Sequence, residues 1–361
     1  MNNINAIKFI SEGTSTISLI KKSDFLTEYN VSLEYSYNGV DWSDWDLSAL
    51  TINSNDILYI RGNNPSSFSC WNEDTEAYYT FVIEGDKVSC SGNIMSLIDY
   101  ENLPNIIPCD YCFYELFSGC TSLVNAPELP ATELTDRCYY RMFSGCPSLI
   151  TAPELPAIAL NEWCYDGMFS GCTSLVNAPE LPATKLADGC CYQMFSGCTS
   201  LTTAPELPAI ELADGCYSYM FEGCTSLVKA PELPAMILTE WCYDGMFSGC
   251  SSLTTAPELP ATELAEYCYY LMFSGCTSLV KAPELPATRL ARWCYSRMFF
   301  DCSSLKIAPK LPAKTLKEWC YSRMFSGCSS LTTAPELPTM ALAEWYYFRM
   351  FDGCTLLKDK K

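Results

Sequence analysis

The chain has 361 residues and is 49% apolar, with a formal net charge of −20, 23 cysteines and no histidine. That balance excludes a disordered tail and offers no basic face to nucleic acid or to an anionic membrane surface. It also removes every histidine-dependent triad, metal site and proton shuttle.

The first residues, Met1-Asn-Asn-Ile-Asn-Ala-Ile-Lys-Phe-Ile10, lack a basic segment followed by an apolar one, so no secretory signal is expected. No run approaches the ~18 apolar residues of a membrane span. The expected product is made in the cytoplasm, and any role outside a cell requires another route, such as incorporation into a phage virion.

Residues 1–92 carry strand signals. Thr14–Ile20, Val31–Tyr37, Val40–Trp45, Asp56–Ile60, Tyr78–Ile83 and Val88–Cys90 are short β-prone runs, and Asn38-Gly39 is a strong hairpin signal. Together they predict a small all-β, sandwich-like N-terminal domain. Trp42, Trp45, Tyr35 and Tyr37 are either a sugar-binding platform or core, since alternate hairpin residues point inward. Asp41, Asp44 and Asp46 match no familiar calcium-loop spacing.

From residue 93 onward one pattern dominates. Leu116-Phe117, and then Met-Phe at 142–143, 168–169, 194–195, 220–221, 246–247, 272–273, 298–299, 324–325 and 350–351, recur every 26 residues without insertion. A fixed period of this length is a solenoid signature. The second domain is therefore 93–361, with 93–116 a cap coil and 350–361 a short, charged C-terminal cap. Within a unit such as Leu264–Phe273, apolar residues at Leu264, Cys268, Met272 and Phe273 fit helical spacing, and Ser-Gly-Cys ends the run. Ala-Pro-Glu-Leu-Pro follows, and its two prolines restrict any strand to a short one. Leu253, Ala256 and Leu259 are the core contacts expected of that extended segment. One short strand and one helix per unit define an α/β solenoid, leucine-rich-repeat-like, of about ten coils.

The cysteines follow the same period. Ten stand in one column (120 to 354) and nine in another (112 to 320). Eight residues apart within a unit, they are too distant on a helix to bridge, and a ladder selects no pairing. Two stacks of buried, reduced thiols follow. Cys109-Asp-Tyr-Cys112 is a C-x-x-C for which, without histidine, only other repeat cysteines could complete a zinc site, and a stacked cap cysteine is the expected reading. No cofactor or metal is expected.

The run Phe169-Ser-Gly-Cys-Thr-Ser-Leu-Val-Asn-Ala-Pro179 and its copies resemble the Phe-x-Gly-Cys-x-x-Leu unit of the BspA-like leucine-rich repeat family, over residues 91 to 354. The resemblance implies bacterial surface adhesins and related gut bacteriophage proteins, which bind host or matrix components.

Copies within one chain can be compared directly. The column before the second-column cysteine varies: Arg137, Trp163, Gly189, Gly215, Trp241, Tyr267, Trp293, Trp319 and Trp345. So do the two positions before Met, which include Tyr140, Arg141, Tyr219, Arg297, Arg323 and Arg349. Such residues suit a recognition surface, or they mark a face free to drift. An acidic column, Glu128, Glu154, Glu180, Glu206, Glu232, Glu258, Glu284 and Glu336, serves either a structural turn or a cationic ligand. Trp163–Cys172 recurs at 241–250, a block duplication. The expectation is a non-enzymatic adhesion protein binding a protein or glycan receptor, or else a structural spacer. Virion or homo-oligomer contacts would run through the N-terminal domain or the thin C-terminal cap.

Overall fold

In the computed structural model, which describes residues 4–23, 30–72, 75–337 and 344–357, the β-prone runs become two sheets. The strands are β1 (Ile7–Ser11), β2 (Ser15–Ser23), β3 (Leu33–Ser36), β4 (Ser43–Asp44), β5 (Leu50–Ile52), β6 (Ile57–Gly62), β7 (Cys70–Asn72), β8 (Thr75–Gly85), β9 (Val88–Ser91) and β10 (Leu123–Asn125). One sheet runs β10-β9-β1-β6-β3-β4 and the other β5-β2-β8-β7. Every pairing is antiparallel except β9 with β10. The Asn38-Gly39 signal lies in the β3–β4 connection, where Gly39 has φ +72° and Asn38 Oδ1 accepts the amides of Val40 and Asp41.

The aromatic hairpin residues divide. Trp45 is buried and its indole donates to Ser48 O, whereas Trp42 lies under the Arg61 guanidinium at 3.8 Å. Arg61 also covers Tyr100 and pairs with Glu34 at 2.8 Å, so Trp42 offers no free platform on that face.

The chain divides into two compact units, Met1–Pro182 and Ala183–Lys361. In the first, the sheets meet the coils without a break. Phe81 on β8 stacks on Phe117 at 4.9 Å, and its amide donates to Leu116 O. Cys120 Sγ donates to Phe81 O, and β9 pairs with β10. The opening of the first coil is thus covered by β8 and β9, as well as by the segment at 93–116.

Among the described residues, no coil contains the α-helix expected of it. Residues 293–302 show what replaces it. Trp293, Tyr295, Arg297, Phe299 and Asp301 donate their amides to carbonyls of the next coil (Glu318, Cys320, Ser322, Met324 and Ser326). Ser296, Met298, Phe300 and Cys302 donate three residues back, to Trp293, Tyr295, Arg297 and Phe299. The segment is a string of reverse turns in which alternate amides hold the coil and its neighbour. An α-helix satisfies its amides internally and leaves none to tie one coil to the next. The turns also bury Cys294, Tyr295, Ser296, Met298, Phe299 and Cys302, with the apolar pairs Cys294-Tyr295 and Met298-Phe299 four residues apart. Over so short a run, a period of four is hard to tell from ~3.6.

The extended segments meet by single parallel bridges, such as Lys281↔Ile307 and Ile307↔Thr333. A proline two residues after each bridging residue stops the ladder on that side. Leu253 and Leu259 are buried as expected, but Ala261, rather than the half-buried Ala256, is the fully buried alanine of that segment. Inside the second unit, Phe195 stacks on Phe221, Phe221 on Phe247, and so on to Phe351, at 5.6 to 5.8 Å. A parallel tyrosine ladder runs from Tyr217 to Tyr347. Leu342 and the last four residues of the expected C-terminal cap lie outside the described residues.

No disulfide joins any of the 22 cysteines whose side chains are described, and all but Cys109 are buried. In one column the thiols from Cys224 to Cys354 donate to phenylalanine carbonyls of the preceding coil, as Cys276 does to Phe247 O at 3.1 Å. Burial pushes thiols such as Cys250 up to about 12. Thiol titration is therefore expected to find few reactive groups in the native protein and nearly the whole set after denaturation in guanidinium. A large shortfall after denaturation would show disulfides and contradict this core.

Candidate recognition surface

The string of turns requires a left-handed residue at regular places, and one of these is the variable column before cysteine. There φ is +53° at Arg137, +55° at Trp163, +58° at Gly189, +60° at Gly215 and +61 to +63° at Trp241, Trp293 and Trp319. Glycine adopts that conformation freely, whereas a side chain there is disfavoured by roughly 1–2 kcal/mol. Gly189 and Gly215 show the residue the backbone alone favours, so the tryptophans stand against a local preference.

In the second unit these rings form a ladder. Trp241 stacks on Tyr267 at 3.8 Å, Tyr267 on Trp293 at 6.0 Å, and Trp293 on Trp319 at 5.3 Å, all within 8° of parallel. Tyr270 meets Trp293 edge-on, and Phe348 closes on Trp319 the same way. Burial raises the Tyr270 hydroxyl and the nearby Arg297 charge partly offsets it, while the Arg323 and Arg349 guanidiniums approach Phe348 at 5.9 and 5.2 Å. Arg349 also pairs with Asp352. Trp345 is exposed and meets only Tyr346, edge-on, among the described ring contacts. Tyr267, Trp293, Trp319, Arg297, Arg323 and Arg349 thus share one ridge.

Beside that ridge lies a groove of about 660 Å3, lined among others by Glu263, Glu266, Arg289, Arg292, Lys317 and Glu318. Arg292 bonds Glu318 at 2.7 Å, coil to coil, and both side chains are exposed. This groove was not anticipated from the sequence, although Glu266, Arg292 and Glu318 immediately precede Tyr267, Trp293 and Trp319. The same column that varies in aromatic character varies next door in charge.

The remaining candidates form smaller groups. In the first unit, Tyr140 stacks on Tyr114 at 4.9 Å, and Arg141 reaches over Tyr140. Arg137 lies between Tyr111 and Trp163, at 5.4 and 6.0 Å. In the second unit, Tyr219 meets Tyr192 edge-on and lies across Gly245, where any Cβ would stand 2.3 Å from its ring. Beneath Tyr219 is the buried carboxyl of Asp244, pushed up to about 8 by burial, partly offset by the Tyr219 hydroxyl. Asp166, the matching residue of the duplicated block, is raised to about 7 by burial, against the pull of Arg141 and Arg137.

The acidic column is exposed at all eight positions. Among the described residues no hydrogen bond ties these carboxylates to a turn, and none of them has an ion-pair partner. Shallow grooves run between successive Ala-Pro-Glu-Leu-Pro segments, with Lys229 and Lys281 at their edges. No metal-ligating cluster of Cys, Asp and Glu is present among the described residues. No helix among them is long and apolar enough to cross a membrane.

No known protein family, curated protein or solved structure matches this chain.

Proposed function

We propose that this chain is a non-enzymatic recognition protein, built as a solenoid on the leucine-rich-repeat plan, with turns in place of helices. Its second unit holds a protein or glycan partner against the aromatic and charged ridge from Trp241 to Arg349. A place on a phage virion or a cell surface suits this reading, which the net charge of −20 extends to cationic or neutral partners. One observation carries it: tryptophans occupy left-handed positions that two other coils fill with glycine. A strained residue kept at the surface is a pointer to function, because the core derives nothing from it.

That observation also supplies a clean test. In Trp293→Gly the backbone keeps a residue suited to its conformation, so the fold is expected to persist. Retention of partners from surface extracts by the immobilised chain is expected to fall by an order of magnitude, a loss of about 1.4 kcal/mol. Undiminished retention by the triple variant Trp241→Gly, Trp293→Gly, Trp319→Gly would remove the ridge from consideration.

A further inference from the structure

The duplicated block allows one coil position to be read against its copy. In the first unit, the column before cysteine runs Tyr111, Arg137, Trp163, and the Arg137 guanidinium fills the rung between the two rings, 5.4 Å from one and 6.0 Å from the other. In the second unit the corresponding rung is Gly215, followed by Trp241. The backbones agree closely. Arg137 and Gly215 have φ +53° and +60°, and their amides donate to Glu162 O at 2.9 Å and Glu240 O at 2.8 Å. The acids agree as well. Asp136 Oδ1 accepts the Glu162 amide at 3.2 Å, and Asp214 Oδ1 accepts the Glu240 amide at 3.0 Å.

What differs is the side chain on the rung. A Cβ built on Gly215 would touch only Ser218 Oγ at 3.6 Å and Trp241 Cβ at 3.9 Å, which is ordinary contact. Trp241 stacks one face on Tyr267, and in the column no side chain stands over the other. Trp241 is 40% exposed. Asp214 and Glu240 flank it on an acidic chain.

We propose that the open rung at Gly215 is a binding slot for an arginine side chain of a partner protein, whose guanidinium lies on the free face of Trp241 as Arg137 lies on Trp163. The proposal rests on the reading of the variable column as a recognition surface. The chemistry is that of a cation over an indole face, with the two carboxylates supplying charge complementarity. Arginine fits better than lysine, because its planar guanidinium stacks flat on a ring. A glycan has the same need for an open aromatic face but none for the acids.

The test uses the full chain and two short peptides, tetra-arginine and tetra-lysine, in calorimetric titrations at low and moderate salt. Tetra-arginine is expected to bind several-fold more tightly than tetra-lysine. Gly215→Arg, which supplies the rung from within as Arg137 does, is expected to weaken tetra-arginine by about tenfold. Trp241→Gly is expected to weaken it similarly, and it serves as the second variant should Gly215→Arg fold poorly. Unchanged affinity in Trp241→Gly overturns the slot, as does equal binding of the two peptides. So does loss of self-association, or of oligosaccharide binding, in Gly215→Arg with peptide affinity intact, because the occupant is then a second copy or a sugar. Failure here leaves the ridge to be judged by Trp293→Gly, whose residue lies two coils away.

Discussion

Phe273→Ala is expected to destabilise the second unit by about 3–5 kcal/mol, and Phe351→Ala by clearly less. Phe273 is fully buried and stacks on Phe247 and Phe299, each at 5.7 Å and within 9° of parallel. Its removal leaves a cavity and breaks two ring contacts, each worth roughly 0.5–1.5 kcal/mol beyond burial. Phe351 stacks on Phe325 alone among the described rings and is half-buried. Nearest-neighbour stability in a repeat array makes an interior rung count twice and an end rung once. Because alternate amides of each turn segment pair with the next coil, loosening Phe273 also weakens the ladder Phe273 N–H to Met298 O. Urea denaturation followed by tyrosine and tryptophan fluorescence reads the difference. Equal losses for the two variants would show that coils do not support one another through the phenylalanine ladder.

Much of this arrangement is legible in the sequence, and the exceptions have physical causes. The 26-residue period, the two cysteine columns and the shortness of each extended segment follow from spacing and from paired prolines. The turn segments do not, because the buried pairs Cys294-Tyr295 and Met298-Phe299 satisfy a helical pattern equally well over so few residues. The decisive signal is in the variable columns. Gly at 167, 189, 215 and 245 is poorly suited to a helix interior, and these glycines mark the left-handed positions of the turns. In the sequence alone, glycine at such variable positions is equally compatible with a surface free to drift, so the backbone demand is not evident there. β1, β5 and β7 do not stand out in the sequence because they are short, five residues in β1 and three in each of the others. Of the surface candidates, sequence alone places Trp293, Trp319 and their neighbours in register. It does not show that Arg292 and Glu318 bond across coils beside them, since that depends on which way two long side chains lean.

The second unit is expected to be less stable at pH 8.5 than at pH 5, with Asp244 responsible for much of the slope. Asp244 is buried, its Oδ1 has no hydrogen-bond partner, and burial raises it from 3.8 to about 8. The nearby Glu222 charge pushes in the same direction, while the Tyr219 hydroxyl opposes both. A carboxyl raised on folding is protonated in the native chain at pH values where the unfolded chain has already lost the proton. Its contribution is therefore complete below about pH 4 and declines as pH rises towards 8, since stability falls wherever the native state binds more protons. Each unit of displacement corresponds to about 1.4 kcal/mol, so even half of the indicated rise is a sizeable part of a marginal stability. Ser218, Ser296 and Ser322 fill the same position in other coils of this unit and are buried there without charge. Asp244→Ser, and the isosteric Asp244→Asn, are thus expected to fold, to flatten the dependence between pH 5 and 8.5, and to raise the urea midpoint at the alkaline end. Asp166→Asn is expected to act in the same sense but less strongly in the first unit, where Arg141 and Arg137 already favour the ionised form. Identical pH slopes for the original chain and Asp244→Asn would mean that the carboxyl reaches solvent when it ionises. In that case Tyr219, lying across Gly245, must swing aside to admit water, and the loss of its edge-on contact with Tyr192 would be visible in tyrosine fluorescence over the same pH range.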